Sequence, residues 1–176
     1  MDIPMYSVIS KRPSDCSDRE LQQFVKLVMA GGEVAKGLPG RVQKAVSLVM
    51  LLNGDALVGT AGLKRPETGY QSKVFRRAQT DKAPGKFPFE LGWVYIAPDH
   101  RGGKRAKPLI KAAVDSSEGV SVFATARQNN EAMHHLLTNA GFVLSGMPYA
   151  SQQNAGQKIV LFVKDAPGGK AAGPAV

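Results

Sequence analysis

Apolar positions along this chain alternate between the two-residue period of strands and the three-to-four-residue period of helices. Tyr6 to Ile9 alternates over a short span and predicts a first strand. Ser17-Asp18-Arg19-Glu20 has the spacing of a capping box, in which the Ser17 hydroxyl accepts from the Glu20 amide and the Glu20 carboxylate reaches back to the Ser17 amide. Leu21, Phe24, Val25 and Val28 then fall on one helical face, and Gly31-Gly32 ends the pattern. Pro39 to Lys44 reads as a second, weaker helix.

Ala45 to Leu52 and Ala56 to Leu63 are apolar runs separated by Asn53-Gly54-Asp55, residues that tolerate positive φ, which predicts a β-hairpin. Residues 64 to 88 are polar, basic and broken by Pro66, Gly69, Pro84, Gly85 and Pro88, and read as a long mobile connection with one short helix at Ser72 to Ala78. Phe89 to Ala97 is the strongest strand, Ala106 to Val114 a helix, Val120 to Ala126 a strand and Asn130 to Ala140 a helix. Phe142 to Leu144 and Lys158 to Val163 read as two last strands around a polar loop. Antiparallel strands come first and β-α-β alternation later, which predicts an α/β protein of mixed α+β type, one mixed sheet with helices on both faces.

With 176 residues and one cysteine, the chain can bury a core without disulfides, and His100, His134 and His135 have no Cys pair beside them for a zinc site. Residues 1–164 are expected to form a single domain, and the Gly-, Pro- and Ala-rich segment 165–176 a disordered tail. The longest apolar run, Ala45 to Leu52, is too short to cross a bilayer, and Met1-Asp2-Ile3-Pro4 is no leader, so the expected compartment is the cytoplasm and no membrane partner is expected.

Charge narrows the picture further. The net charge is +9, and between Lys64 and Lys111 twelve Lys and Arg face four acids, a local net of +8. Such a stretch attracts an anionic partner, whether nucleic acid, an acidic protein or a phosphate-bearing cofactor, and a solvated face accounts for it as well. No helix-turn-helix or zinc pattern supports sequence-specific DNA binding.

The chemistry concentrates where the strongest strand meets the next helix. Pro98-Asp99-His100-Arg101-Gly102-Gly103-Lys104-Arg105-Ala106 is a turn, a Gly- and cation-rich loop and a helix start. Glycines admit an anion close to the backbone, and the first helical amides are unpaired donors at the positive end of the helix dipole. Arg101, Lys104, Arg105 and Lys107 add full charges.

This segment resembles the acyl-CoA motif of the GNAT superfamily of N-acetyltransferases, with Ile96, Arg101 and Ala106 at matching positions. A second element is similar to the same family: Asn130, Met133, Leu136 and Leu137 lead to Gly141-Phe142, one strand later. Two departures stand out. Lys104 occupies the family's middle glycine, with Gly103 just before it, and Pro108 falls where the helix begins. A helix starting at Lys104 is strained at Pro108, whereas one starting at Pro108 lengthens the loop by a turn.

The resemblance implies a central, mostly antiparallel sheet of about six or seven strands flanked by helices. It implies acetyl-CoA as cofactor, its pantetheine arm along Val94, Tyr95 and Ile96 at a splay between parallel strands, and its pyrophosphate on Arg101, Gly102, Gly103, Lys104, Arg105 and Ala106, with Asn130 touching it from the next helix. It implies direct attack of an amine on the thioester, the acceptor being a small molecule or a protein. Glu90 stands where the family often places its base, and a solvated or salt-bridged strand-end carboxylate is the alternative. Leu137 stands at the usual Tyr position, so Tyr149, in the loop after Phe142, is the candidate general acid. A member of the fold that has lost catalysis and acts through a protein or nucleic-acid partner is the competing reading, and pairing through the last strands makes a homodimer an option.

Overall fold

The computed structural model describes residues 3–33 and 36–167. Seven strands and five helices follow in the order β1 (Tyr6–Lys11), α1 (Asp18–Ala30), α2 (Leu38–Gln43), β2 (Ser47–Asn53), β3 (Ala56–Lys64), α3 (Thr68–Arg77), β4 (Phe89–Ile96), α4 (Ala106–Asp115), β5 (Val122–Arg127), α5 (Glu131–Asn139), β6 (Val143–Ala150) and β7 (Lys158–Lys164). Hydrogen-bonded strand neighbours run β1-β2-β3-β4-β5-β7-β6, and the sheet is mostly antiparallel and flanked by helices. Among the described residues no helix is long and apolar enough to cross a membrane, and no group of three His, Cys, Asp or Glu side chains could hold a metal ion.

The chain divides into two units, Met1–Arg65 with Leu91–Ser116, and Pro66–Glu90 with Ser117–Val176, and β4 passes from the second into the first. In the first unit the Ser17 and Glu20 capping box forms in both directions, at 3.1 and 3.0 Å, and starts α1 as its sequence predicts. The β2–β3 hairpin turns at Gly54-Asp55, with Asn53 paired to Ala56. Leu48 and Met50, two residues apart on one face of β2, pack with Phe24 and Val28 of α1 and Leu38 and Val42 of α2. Val49 and Leu51, of opposite parity, are equally buried, and α4 packs against β1, β2 and β3. Cover on both faces is why this strand reads as a continuous apolar run.

In the second unit the stretch expected to be a mobile connection is instead ordered. Ten residues form α3, a 3-10 turn follows at Pro84–Lys86, and Val74, Phe75, Ala78 and Phe87 join Phe123, Leu161 and Val163 in a buried cluster. Phe75 sits 5.3 Å from Phe123 and 5.5 Å from Phe87 between ring centroids. The apolar residues of this helix are few, so its single buried stripe is hidden among Lys73, Arg76 and Arg77. Gln71, also buried, ties the segment down by donating from Nε2 to the carbonyl of Pro84 at 2.8 Å and to that of Phe87.

The last strands also differ from expectation. β6 continues to Ala150, so Tyr149 lies on a strand and pairs with Ile159 rather than sitting in a loop. Ser145-Gly146-Met147-Pro148 carries the residues of a turn, but forms an irregularity within β6 where the register shifts. Asp165 pairs with Lys82 at 3.5 Å and the Ala166 amide donates to Ser121 Oγ at 2.8 Å, while 168–176 of the expected tail lie outside the described residues.

Candidate active site

The anion loop belongs to the first unit. β4 ends at Ile96, a 3-10 turn spans Pro98–His100, and Arg101 folds back so that its Nε donates to the Ile96 carbonyl at 2.8 Å while its guanidinium lies 5.5 Å from the Tyr95 ring. Gly102, Gly103 and Lys104 then adopt positive φ in succession, at 92°, 62° and 58°. Successive residues of this kind expose their amides in a concavity that suits an anion. Among the described residues, no backbone carbonyl accepts from the amides of Gly102, Gly103, Lys104 or Arg105. Lys104 and Lys107 are exposed beside them and form no ion pair among the described residues. Unpartnered amides, a helix N-terminus and two uncommitted ammonium groups are a donor set that fits a pyrophosphate.

Both departures from the family pattern are accommodated. Lys104 takes the left-handed conformation that a glycine would take there. The helix starts at Ala106, so Pro108 is its third residue, and neither of the two expected alternatives holds. In the first turn the proline's missing amide is one of those with no partner inside the helix. Lys104 bears the strain of a non-glycine residue at positive φ, about 1 kcal/mol, partly offset in a glycine variant by the extra freedom of its unfolded chain. Lys104→Gly is therefore expected to raise stability by about 0.5 kcal/mol in thermal melts while weakening acetyl-CoA binding by a few-fold through the lost charge.

Further back on β4, buried Trp93 has φ of 55°, a left-handed residue inside a strand. Its carbonyl accepts from the Thr60 hydroxyl at 2.7 Å, and Thr60 is completely buried. Because a trans peptide holds its C=O and N–H on opposite sides, this bond turns the Val94 amide away from Thr60. The kink thus falls immediately before the stretch Val94 to Ile96 that the sequence singles out.

Glu90, Tyr70 and Tyr149 come together in the second unit. Glu90 is only 3% exposed, so of the solvated or salt-bridged strand-end alternatives the solvated one does not hold. The Tyr70 hydroxyl donates to Glu90 Oε2 at 2.9 Å. Although 43% of Tyr70 is exposed overall, burial of its hydroxyl end and the neighbouring Glu90 hold that phenol protonated, well above its ordinary range. Tyr149 is pushed up to about 12, first by burial and then by the Glu90 charge, with the Arg77 guanidinium, 5.3 Å from its ring, opposing. Here β4 and β5 pair in parallel at Phe89 with Val122 and Glu90 with Phe123.

Since the Tyr149 phenol holds its proton more tightly in the folded chain, its contribution to stability is complete below pH 10 and is lost as pH rises toward about 12. Melting temperatures across that window are expected to fall more steeply for the parent than for Tyr149→Phe. Equal slopes would remove Tyr149 from this account.

Asn130 is the N-cap of α5, where its side chain accepts from the Met133 amide at 3.1 Å. Leu137 is buried core. His134 Nε2 donates to the Arg127 carbonyl at 3.0 Å, and its ring packs edge-on to Phe162, both structural roles. Sequence reasoning missed Tyr70, Thr60 and Arg77. Tyr70 carries no signal within a stretch read as a connection, Arg77 looks like one more cation on the short helix read at Ser72 to Ala78, and Thr60 looks like one hydroxyl in an apolar hairpin strand.

A profile described as the acetyltransferase (GNAT) family matches residues 22–142. ElaA of Escherichia coli has a similar fold, with a TM-score of 0.66 at 15% identity, covering 92% of this chain and 100% of that one. An acyl-CoA N-acyltransferase from Pseudomonas aeruginosa superposes with a TM-score of 0.63 at 15% identity over 91% of this chain and 99% of its own. YncA of Salmonella typhimurium, solved with its cofactor acetyl-CoA, has a TM-score of 0.62 at 13% identity over 92% of this chain and 94% of its own. Among curated proteins there is no significant match. With the family profile covering more than half of its length, this chain belongs to the GNAT family of acetyltransferases.

Proposed function

We propose that this protein transfers an acetyl group from acetyl-CoA to an amine by direct attack, with Glu90 as the base. The observation that carries this reading is the buried Glu90 carboxylate, bonded to Tyr70 and close enough to Tyr149 to raise its phenol. A buried carboxylate beside two phenols is the kind of environment in which acid and base groups are found, which supports this reading.

Acetyl-CoA, when bound, supplies the acyl group as a thioester. The amides of Gly102 to Arg105, with Lys104 and Lys107, would hold its pyrophosphate, and the backbone of Val94 to Ile96 its pantetheine arm. Glu90 takes a proton from the acceptor ammonium. The Val94 amide, turned by the bond between Thr60 and Trp93, donates to the negative charge that develops during transfer. Tyr149 has no hydrogen-bond partner for its hydroxyl among the described residues and stays protonated up to high pH, so it can return a proton to the leaving thiolate. The acceptor is an amine of a small molecule or a protein.

The first test is a thermal melt with and without acetyl-CoA. At 100 times its dissociation constant a ligand adds about 2.7 kcal/mol, a shift of several degrees for a chain of this size. Stabilisation followed by thiol release with a panel of amines is the expected result. Stabilisation with no transfer to any amine would instead favour a lapsed enzyme that retains its cofactor.

A further inference from the structure

Arg105 is one of four cations on the anion loop, yet its guanidinium turns inward. Its Nη1 donates to the carbonyl of Gly102 at 3.0 Å and lies 3.3 and 3.5 Å from those of His100 and Arg101. A planar trans peptide sends its N–H opposite to its C=O. Gathering these three carbonyls around one guanidinium therefore aims the following amides, of Arg101, Gly102 and Gly103, away from it. The Arg101 amide is taken by the Pro98 carbonyl at 3.3 Å, which leaves those of Gly102 and Gly103 for a ligand.

Two independent features hold Arg105 in this place. The Tyr6 ring stacks under its guanidinium at 4.0 Å, and the Tyr6 hydroxyl bonds His100 Nδ1 at 3.0 Å, so the first strand anchors the loop from about 100 residues away in sequence. On the loop itself, a Cβ at Gly103 would lie 3.2 Å from the Arg105 Cζ, so a glycine there gives the guanidinium its space. A planar fork can collect several carbonyls and stack on a ring at once, whereas an ammonium is a point charge.

We propose that Arg105 and Tyr6 are positioning residues that shape the cofactor loop by orienting its amides, and that Arg105 is not itself a phosphate ligand. The inference rests on the reading that this loop holds acetyl-CoA.

The test is calorimetric titration of the full chain with acetyl-CoA and with its 3′-dephospho form, for the parent, Arg105→Lys, Arg105→Met, Tyr6→Phe and Tyr6→Leu. Arg105→Lys and Arg105→Met are expected to weaken binding to the same extent, about tenfold, because retaining the charge does not restore the fork. The loss should be equal for the two ligands, since it concerns the pyrophosphate. Tyr6→Phe, which keeps the ring, should stay within about twofold, and Tyr6→Leu should lose about fivefold. Parent-like affinity in Arg105→Lys, or a loss that disappears with the dephospho ligand, would overturn the proposal in favour of direct phosphate pairing. If Tyr6→Leu fails to fold, the Arg105 pair decides the question. A parent chain that binds neither ligand would overturn the cofactor reading and this inference together, whereas a binding parent with an unaffected Arg105→Lys overturns this inference alone.

Discussion

Glu90→Gln is expected to reduce acetyl transfer by about 100-fold or more while leaving acetyl-CoA affinity within about twofold. The side chains have the same shape, and the Tyr70 hydroxyl that donates to Glu90 Oε2 can donate equally to an amide oxygen. The variant therefore keeps the shape of the side chain at a site only 3% exposed and loses its negative charge and with it the capacity to accept a proton. Thiol release measures transfer, and calorimetry with acetyl-CoA measures binding. Transfer within tenfold of the parent would show that the acceptor's proton leaves by another route. Parallel loss of binding and stability would instead make Glu90 a structural carboxylate.

Gly146→Ala is expected to carry the largest stability cost, about 3 kcal/mol, which lowers the melting temperature by roughly 10 °C in a chain of this size. Gly146 has φ of 75°, and a Cβ there would stand 2.1 Å from the Ala78 carbonyl oxygen and 3.1 Å from the Thr80 amide. Those atoms are backbone and cannot swing aside. The contact is close because the end of α3 is tied to β6, with the Met147 amide donating to the Ala78 carbonyl at 2.6 Å and the Thr80 and Ser145 hydroxyls bonded at 2.5 Å. Tyr149 lies three residues further along the same strand, so relaxation of this tie should also disturb the phenol beside Glu90. A melting temperature within about 2 °C of the parent would mean that β6 can shift here, and that the irregularity is a flexible edge.

These predictions draw unequally on sequence and structure. The α1 capping box, the hairpin at Gly54-Asp55 and the strand before the loop were legible because each rests on residues close in the chain, where short-range geometry decides the outcome. The turn of the loop into α4 was legible for the same reason, since consecutive glycines and a helix start act locally. Helix α3 was legible only in part, as a short helix at Ser72 to Ala78 within a mobile connection, because its buried stripe of Gln71, Val74, Phe75 and Ala78 becomes cover only against Phe87 and Phe123. Tyr149 was misplaced because Gly146 and Pro148 look like a turn, while the carbonyl of Ala78, some 70 residues earlier, makes them part of a strand.

By itself, then, the sequence determined the order of elements, the family and the position of the loop, all of which follow from spacing along the chain. Only the tertiary structure decided the surroundings of the candidate site residues. Burial and Tyr70 set the environment of Glu90, Thr60 turns the kink at Trp93, and Tyr6 and Arg105 orient the loop amides. Each of these partners lies between three and about 100 residues from the group it controls, and all but one of them at least 20, and desolvation and hydrogen bonding depend on distance in space, to which the chain's order is blind.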